Sequence, residues 1–156
     1  MTTTVTRPEA ADSRLLPVPA VVRDAGLLLT RALLGVVLIA HGWEKFAING
    51  IDGTGAFFDS VGVPGGAAAA AVVGAIELVG GILLILGLLT PVVAVLVVVV
   101  MIGAFFTVHI GSGVYVAENG WELVAVVGLA AAVFGLVGPG RYSVDAVLAG
   151  RRAATA

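Results

Sequence analysis

Residues 91–109 read PVVAVLVVVVMIGAFFTVH, an apolar run with no ionisable side chain until its last position, His109. Val92 to Val100 is mostly β-branched, and in water such a run is strand-prone. A strand crossing a bilayer alternates apolar and polar residues, and this run does not. In lipid, a continuous apolar stretch of this length satisfies its backbone groups as a helix. The run is therefore expected to be a membrane helix, and three others resemble it, at about residues 25–45, 67–89 and 121–138. Thr90-Pro91 marks a tight break between the second and third runs, because proline starts helices better than it continues them. A crossing needs about 20 apolar residues, so four crossings use about half of the 156-residue chain.

Composition agrees. Hydrophobic residues make up 60% of the chain and charged residues 12%, whereas soluble domains run near half apolar and about a quarter charged. That shortage excludes a disordered chain, a nucleic-acid binder and an ordinary soluble enzyme. The absence of cysteine removes disulfide frameworks, thiolate metal sites, iron–sulfur clusters and dithiol chemistry from this chain. A net charge of −2 signals no polyanionic partner. Seven of the eight basic residues are arginine, a bias that suggests a GC-rich bacterial genome.

The expected fold is all-α: a polytopic transmembrane four-helix bundle over residues 25–140. A disordered N-tail covers residues 1–24 and a short C-tail residues 141–156. The N-tail is no signal peptide, since Arg7, Arg14 and Arg23 are spread along it and no small-residue cleavage site follows the next apolar run. With Arg141, Arg151 and Arg152 in the C-tail and acidic residues Asp52, Asp59 and Glu118 in two of the loops, the positive-inside rule puts both termini in the cytoplasm. Loops 46–66 and 110–120 then face outward, and GAFFDSV at 55–61 is expected to lie along the interface. Gly74, Gly80 and Gly81 are read as one face of the second helix, and Gly128 and Ala132 as a small-residue pair on the fourth. Such residues let membrane helices approach closely.

An ionisable group at membrane depth costs roughly 2.5–3.5 kcal/mol on insertion scales and is a functional hypothesis by default. Arg31, His41, Glu44 and Lys45 lie on the first run, Glu77 on the second, His109 ends the third and Glu122 opens the fourth. From a rise of about 1.5 Å per residue, His41 stands ~25 Å from the cytoplasmic end, Glu77 ~20 Å, His109 ~26 Å and Glu122 ~24 Å. Two histidines and two carboxylates thus share one layer in the outer half, with Arg31 lower at ~10 Å. Arg31, His41 and Lys45 fall within about 80° of arc and can share a helix face.

Each group also has a plainer reading. Glu77 with Arg31 or a histidine makes a neutralising pair that fixes helix register. The two histidines make a hydrogen-bonded structural pair, and Glu44 and Lys45 are solvated flanks. Trp43 and Trp121 are interfacial anchors. No metal is assigned: His41, His109, Glu77 and Glu122 are the only plausible ligands, and no HxxxH or ExxH spacing pre-organises them. Ser143 to Asp145 is expected to cap a short amphipathic tail helix, 144–149. A faint repeat runs through the same groups, with Gly35 six residues before His41 and Gly103 six before His109. Glu77-Leu78-Val79 likewise recurs as Glu122-Leu123-Val124, which would make a parallel duplication.

Together, Arg31-Ala-Leu-Leu-Gly35, His41-Gly42, Lys45, Glu77-Leu-Val-Gly80-Gly81, Leu86-Gly87-Leu88-Leu89-Thr90-Pro91, His109, Gly120-Trp121-Glu122 and the closing Gly138-Pro-Gly-Arg-Tyr-Ser-Val-Asp145 resemble the DoxX family of small bacterial membrane proteins, over about residues 27–148. The resemblance implies a four-helix transmembrane bundle in the plasma membrane. It also implies a link to quinone-dependent redox systems, since the family takes its name from a subunit of an archaeal terminal oxidase and thiosulfate:quinone oxidoreductase system. A mycobacterial relative is associated with a membrane oxidoreductase complex, and more distant eukaryotic relatives act as cargo receptors or assembly factors.

Three functions follow as expectations. The first is a membrane subunit or anchor of a redox system, its polar layer binding a quinone headgroup or passing protons. No cofactor is evident in the sequence itself, and electrons would come from a partner protein or a bound group. The second is a non-catalytic adaptor that holds another membrane protein. The third, a small-solute carrier, needs an open path or a homo-oligomer.

Overall fold

A computed structural model describes residues 18–155 and is all-helical among them, with six α-helices and no strand. These are α1 (Ala20–Trp43), α2 (Gly50–Ser60), α3 (Gly66–Leu86), α4 (Thr90–Ala104), α5 (Glu122–Val137) and α6 (Val144–Thr155). A π-helical turn continues α1 through Glu44–Ile48, and another continues α4 through Phe105–His109. Three segments are long and apolar enough to cross a membrane: Ala20–Ile48, Gly66–Leu86 and Thr90–His109. Glu122–Val137 is apolar but shorter. Val92 to Val100 is helical, as the lipid argument requires.

Three boundaries move. α1 begins at Ala20, so residues 20–24 join the helix and Asp24 is buried. Residues 1–17 of the expected disordered N-tail lie outside the described residues. The loop expected at 46–66 is mostly helix, because α2 packs its Thr54–Gly55 face against the start of α3. A Cβ at Gly55 would stand 2.5 Å from the Ala67 backbone nitrogen. The tail helix runs on to Thr155, beyond the expected 149.

Glycine sets the packing. A Cβ on Gly35 would lie 2.6 Å from the Gly81 carbonyl oxygen, and one on Gly42 would lie 2.6 Å from Leu78 N and 2.8 Å from the Gly74 oxygen. Gly35 and Gly42 are seven residues apart on α1, as are Gly74 and Gly81 on α3, so the two backbones touch at two levels. Gly80 does not share that face: its Cβ would meet Val93 of α4. On α5, Gly128 comes close to Met101 of α4, and Gly135 to Ala94. Two glycine-welded pairs, α1–α3 and α4–α5, thus meet over a core that includes Leu38, Leu84, Val97, Val127 and Phe134. This matches the halves of the faint repeat, but the halves differ at their charged groups, as described below.

The segment after α5 closes one end of the bundle. Arg31 is fully buried and donates from Nη1 to the Pro139 carbonyl and from Nη2 to the Tyr142 carbonyl at 2.7 Å. Gly87, with φ +67, leaves the room: a Cβ there would meet the guanidinium at 2.6 Å. Ser143 accepts from Ala146 N at 3.2 Å and so caps α6. Asp145 caps a different helix, its two oxygens accepting from Leu89 N and Thr90 N at 2.9 Å each at the start of α4.

Asp145 lies outside the membrane-crossing helices. Burial pushes its carboxyl up, but the Thr90 and Leu89 hydrogen bonds and the Arg31 charge outweigh this and hold it below the ordinary 3.8. A carboxylate depressed in this way adds stability that is complete above about pH 4 and is lost as pH falls through the folded value. Asparagine keeps only one of the two accepting oxygens, so Asp145→Asn should be less stable than wild type at neutral pH by about 1 kcal/mol. The gap in detergent melting temperature should close below about pH 4. A gap that stays constant with pH would contradict the cap.

Candidate polar cavity

Glu77 sits mid-way along α3, one turn from Gly74 and one from Gly81, where α1 comes closest. It is buried, with its side chain 5% exposed. Its partner is neither Arg31 nor a histidine. Lys45, in the π-helical turn after α1, brings Nζ to 2.6 Å from Glu77 Oε2 with only 15% of its side chain exposed. The reading of Lys45 as a solvated flank is thus corrected. Lys45 stands beside Gly74 on the α1–α3 groove, and its ammonium also reaches the His41 carbonyl at 3.4 Å. Thr54 of α2 donates to the Lys45 carbonyl at 3.3 Å, tying the turn down. Single π turns inside helices recur at functional sites, and nothing in the local sequence marks either one in advance.

Both histidines are held by one ring nitrogen. His41 Nδ1 donates to the Val37 carbonyl at 2.9 Å and His109 Nδ1 to the Asn119 carbonyl at 2.7 Å. A carbonyl oxygen only accepts, so in each neutral ring Nδ1 carries the proton and Nε2 keeps its lone pair. Asn119 adopts φ +63, and its amide donates to Val108 O at 3.5 Å, which fixes the 110–121 loop over the end of α4.

His41, Lys45, Glu77 and His109 line one cavity of about 730 Å³, together with Glu44, Asn49, Thr107 and Asn119. The remaining wall is mainly apolar, from residues such as Val37, Ile76, Val100 and Leu123, with Phe57 and Phe58 of α2 at its edge. The size lies within the range of small-molecule sites, which are mostly apolar with a few convergent polar groups.

Of the seven ionisable residues on the apolar runs, Arg31 and Glu122 do not join this wall. Arg31 is at the other end, held by the 139–142 segment near Ile85, about 12 Å along α3 from Glu77. It cannot serve as the electrostatic partner of the layer. Glu122 accepts from Val116 N at 2.7 Å and serves the loop. Glu77 and Glu122, equivalent in the faint repeat, thus do different work. Among the described residues no three His, Asp or Glu side chains come together to hold a metal. Trp43 and Trp121 are both exposed, and Trp121 packs edge-on against Phe105 at 6.5 Å. Asn49, Thr107 and Asn119 are cavity residues that the sequence did not single out, since polar uncharged residues near helix ends carry no distinguishing pattern.

Comparison with known proteins adds a family. The DoxX family profile matches residues 26–110. A Bacillus subtilis protein provisionally named oxidoreductase CatD is 42% identical over 87 residues, 56% of this chain and 62% of that protein, so the chain spans less than two thirds of it. An uncharacterized membrane protein of Mycobacterium tuberculosis is 31% identical over 82% of this chain and 84% of its own length. An uncharacterized protein of Haemophilus influenzae is 35% identical over 76% of this chain and 87% of its own. No solved structure matches the chain significantly.

Proposed function

The chain belongs to the DoxX family of membrane proteins, and on that premise we propose that it is the membrane subunit of a quinone-linked oxidoreductase system, with the 730 Å³ cavity as its headgroup site. The observation that carries this reading is a buried acid–base pair and two imidazoles of one tautomer set in an otherwise apolar wall. The apolar wall suits a greasy ring and tail, and the Lys45 ammonium is the natural donor to a ring oxygen. A bound quinone would supply two-electron, two-proton chemistry, with electrons from a partner protein. The chain's own part is protonic. Glu77 holds Lys45 in place and can exchange a proton with it at 2.6 Å, and the Nε2 atoms of His41 and His109 accept protons at the cavity wall. The name of the Bacillus relative is consistent with this reading.

On this account Glu122–Val137 is a fourth crossing, shortened because its ends lie in the interface. Both termini are cytoplasmic in the plasma membrane, and the cavity opens in the outer half. Native chain without cysteine makes the orientation simple to check. A single cysteine at Tyr115 should react with an impermeant maleimide on intact cells, and one at Ala149 only after permeabilisation. The reverse pattern would invert the topology.

Glu77→Gln and His41→Ala should each lower quinone-dependent turnover of the reconstituted system by about 10²-fold or more, while both variants still elute as folded protein. Unchanged turnover overturns the catalytic reading. Loss of a co-purifying partner in step with loss of turnover would favour the adaptor reading instead. A carrier is disfavoured because Arg31 and the 139–142 segment close the far end of the bundle.

A further inference from the structure

The closed end of the bundle carries a second, smaller cavity of about 430 Å³ between the first turns of α1 and the segment joining α5 to α6. Its walls include Arg23, Asp24, Leu27, Val137, Gly140 and Arg141. Asp24 is 2% exposed, and among the described residues its Oδ1 accepts no hydrogen bond. Among the described residues, the cation paired with it is Arg23, with Nη2 at 3.6 Å on a side chain that is 64% exposed. Gly140, at φ +81, lies against this site: a Cβ there would touch Leu27 at 3.2 Å and stand 3.9 Å from Asp24 Oδ1.

A carboxylate taken out of water costs several kcal/mol unless a cation is hydrogen-bonded to it. A hydrogen-bonding cation entering from this cavity would give Asp24 Oδ1 the partner that the described residues do not. Two arginines on the same wall argue against a bare metal ion, which they would repel, and in favour of a ligand that brings its own anion. Leu27 and Val137 add an apolar wall. An ammonium and a phosphate within one headgroup, joined to acyl chains, meet all three demands.

We propose that this cavity binds the headgroup of a phosphoethanolamine lipid, the ammonium donating to Asp24 and the phosphate accepting from Arg23 and Arg141. A choline headgroup fails because a quaternary ammonium has no N–H to give. A glycerol headgroup on an anionic lipid fails because it brings no cation to Asp24. The site is separate from the polar cavity and does not depend on the quinone reading.

Native mass spectrometry of the full chain in detergent, titrated with phosphatidylethanolamine, phosphatidylcholine or phosphatidylglycerol, tests it. The wild-type chain should retain the ethanolamine lipid about tenfold better than the other two, as expected for one charge-assisted hydrogen bond. Asp24→Asn should erase that preference. Arg141→Gln should weaken retention several-fold while keeping the order of headgroups. Equal retention of all three lipids overturns the proposal, as does an unchanged preference in Asp24→Asn. Displacement by soluble phosphoethanolamine at lipid-like concentration overturns the lipid as the source. Should Asp24→Asn fail to fold, the headgroup order on wild type and Arg141→Gln still decides.

Discussion

Leucine in place of Gly42 should leave no folded bundle in detergent. A Cβ at this position already falls 2.6 Å from Leu78 N and 2.8 Å from the Gly74 carbonyl. Both are backbone atoms, so no rotamer change relieves the clash and α1 must lift off α3. Overpacking a core costs typically 1–3 kcal/mol and more where backbone must move, so a loss of about 3 kcal/mol or more is expected. It also drags Lys45 away from Glu77, because both lie beside this contact. Size-exclusion chromatography and thermal unfolding of Gly42→Leu check this, with Gly26→Ala as the control. Gly26 has nothing within 4 Å of its would-be Cβ, and alanine there should be neutral or add up to about 1 kcal/mol of helix propensity. Equal stability of Gly42→Leu and wild type would mean that α1 and α3 do not pack as described.

Arg31→Met should be the second severe variant. It replaces a fully buried guanidinium whose nitrogens satisfy the Pro139 and Tyr142 carbonyls. Methionine fills the volume but donates nothing, so two part-buried carbonyls lose their donors at about 1–3 kcal/mol each. The cost should fall mainly on the closing segment rather than on the α1–α3 weld, which Arg31 does not form. Hydrogen exchange in residues 138–150 should accelerate by at least about tenfold, with much smaller changes around Glu77. Uniform acceleration over the whole chain would show that Arg31 supports the entire bundle instead.

Much of the architecture is legible in the residues because lipid leaves few options. An apolar run in a bilayer is a helix whatever its β-propensity, and Val92–Val100 illustrates it. The approximate placement of Glu77, His41 and His109 around one space also follows from helical rise and direction alone. What did not follow is who pairs with whom. Lys45 looks like a flank because it ends the first apolar run, yet it lies one turn past His41 and Gly42 on the face that meets α3, and its ammonium turns in onto Glu77. Arg31 looks like a partner for the layer because its face is right, but its length and height suit the carbonyls of 139–142. Glu122 looks equivalent to Glu77 by its Glu-Leu-Val context, yet the loop amide of Val116 claims it. Gly80 stands about 120° from Gly74 on the helical wheel, whereas Gly81 is almost in line with it, and the two groups meet α4 and α1 respectively. Pairing is a tertiary property, and local pattern carries little of it.

The central claim is that the cavity lined by Lys45, Glu77, His41 and His109 is a quinone site. Calorimetric titration of the purified wild-type chain with a short-chain benzoquinone in detergent tests it most directly, with Val100→Trp as a variant that fills the cavity and Glu77→Gln as one that loosens Lys45. Saturable binding at one site per chain is expected, lost in Val100→Trp and weakened about tenfold or more in Glu77→Gln. Binding that never saturates, or that is the same in Val100→Trp as in wild type, would contradict it.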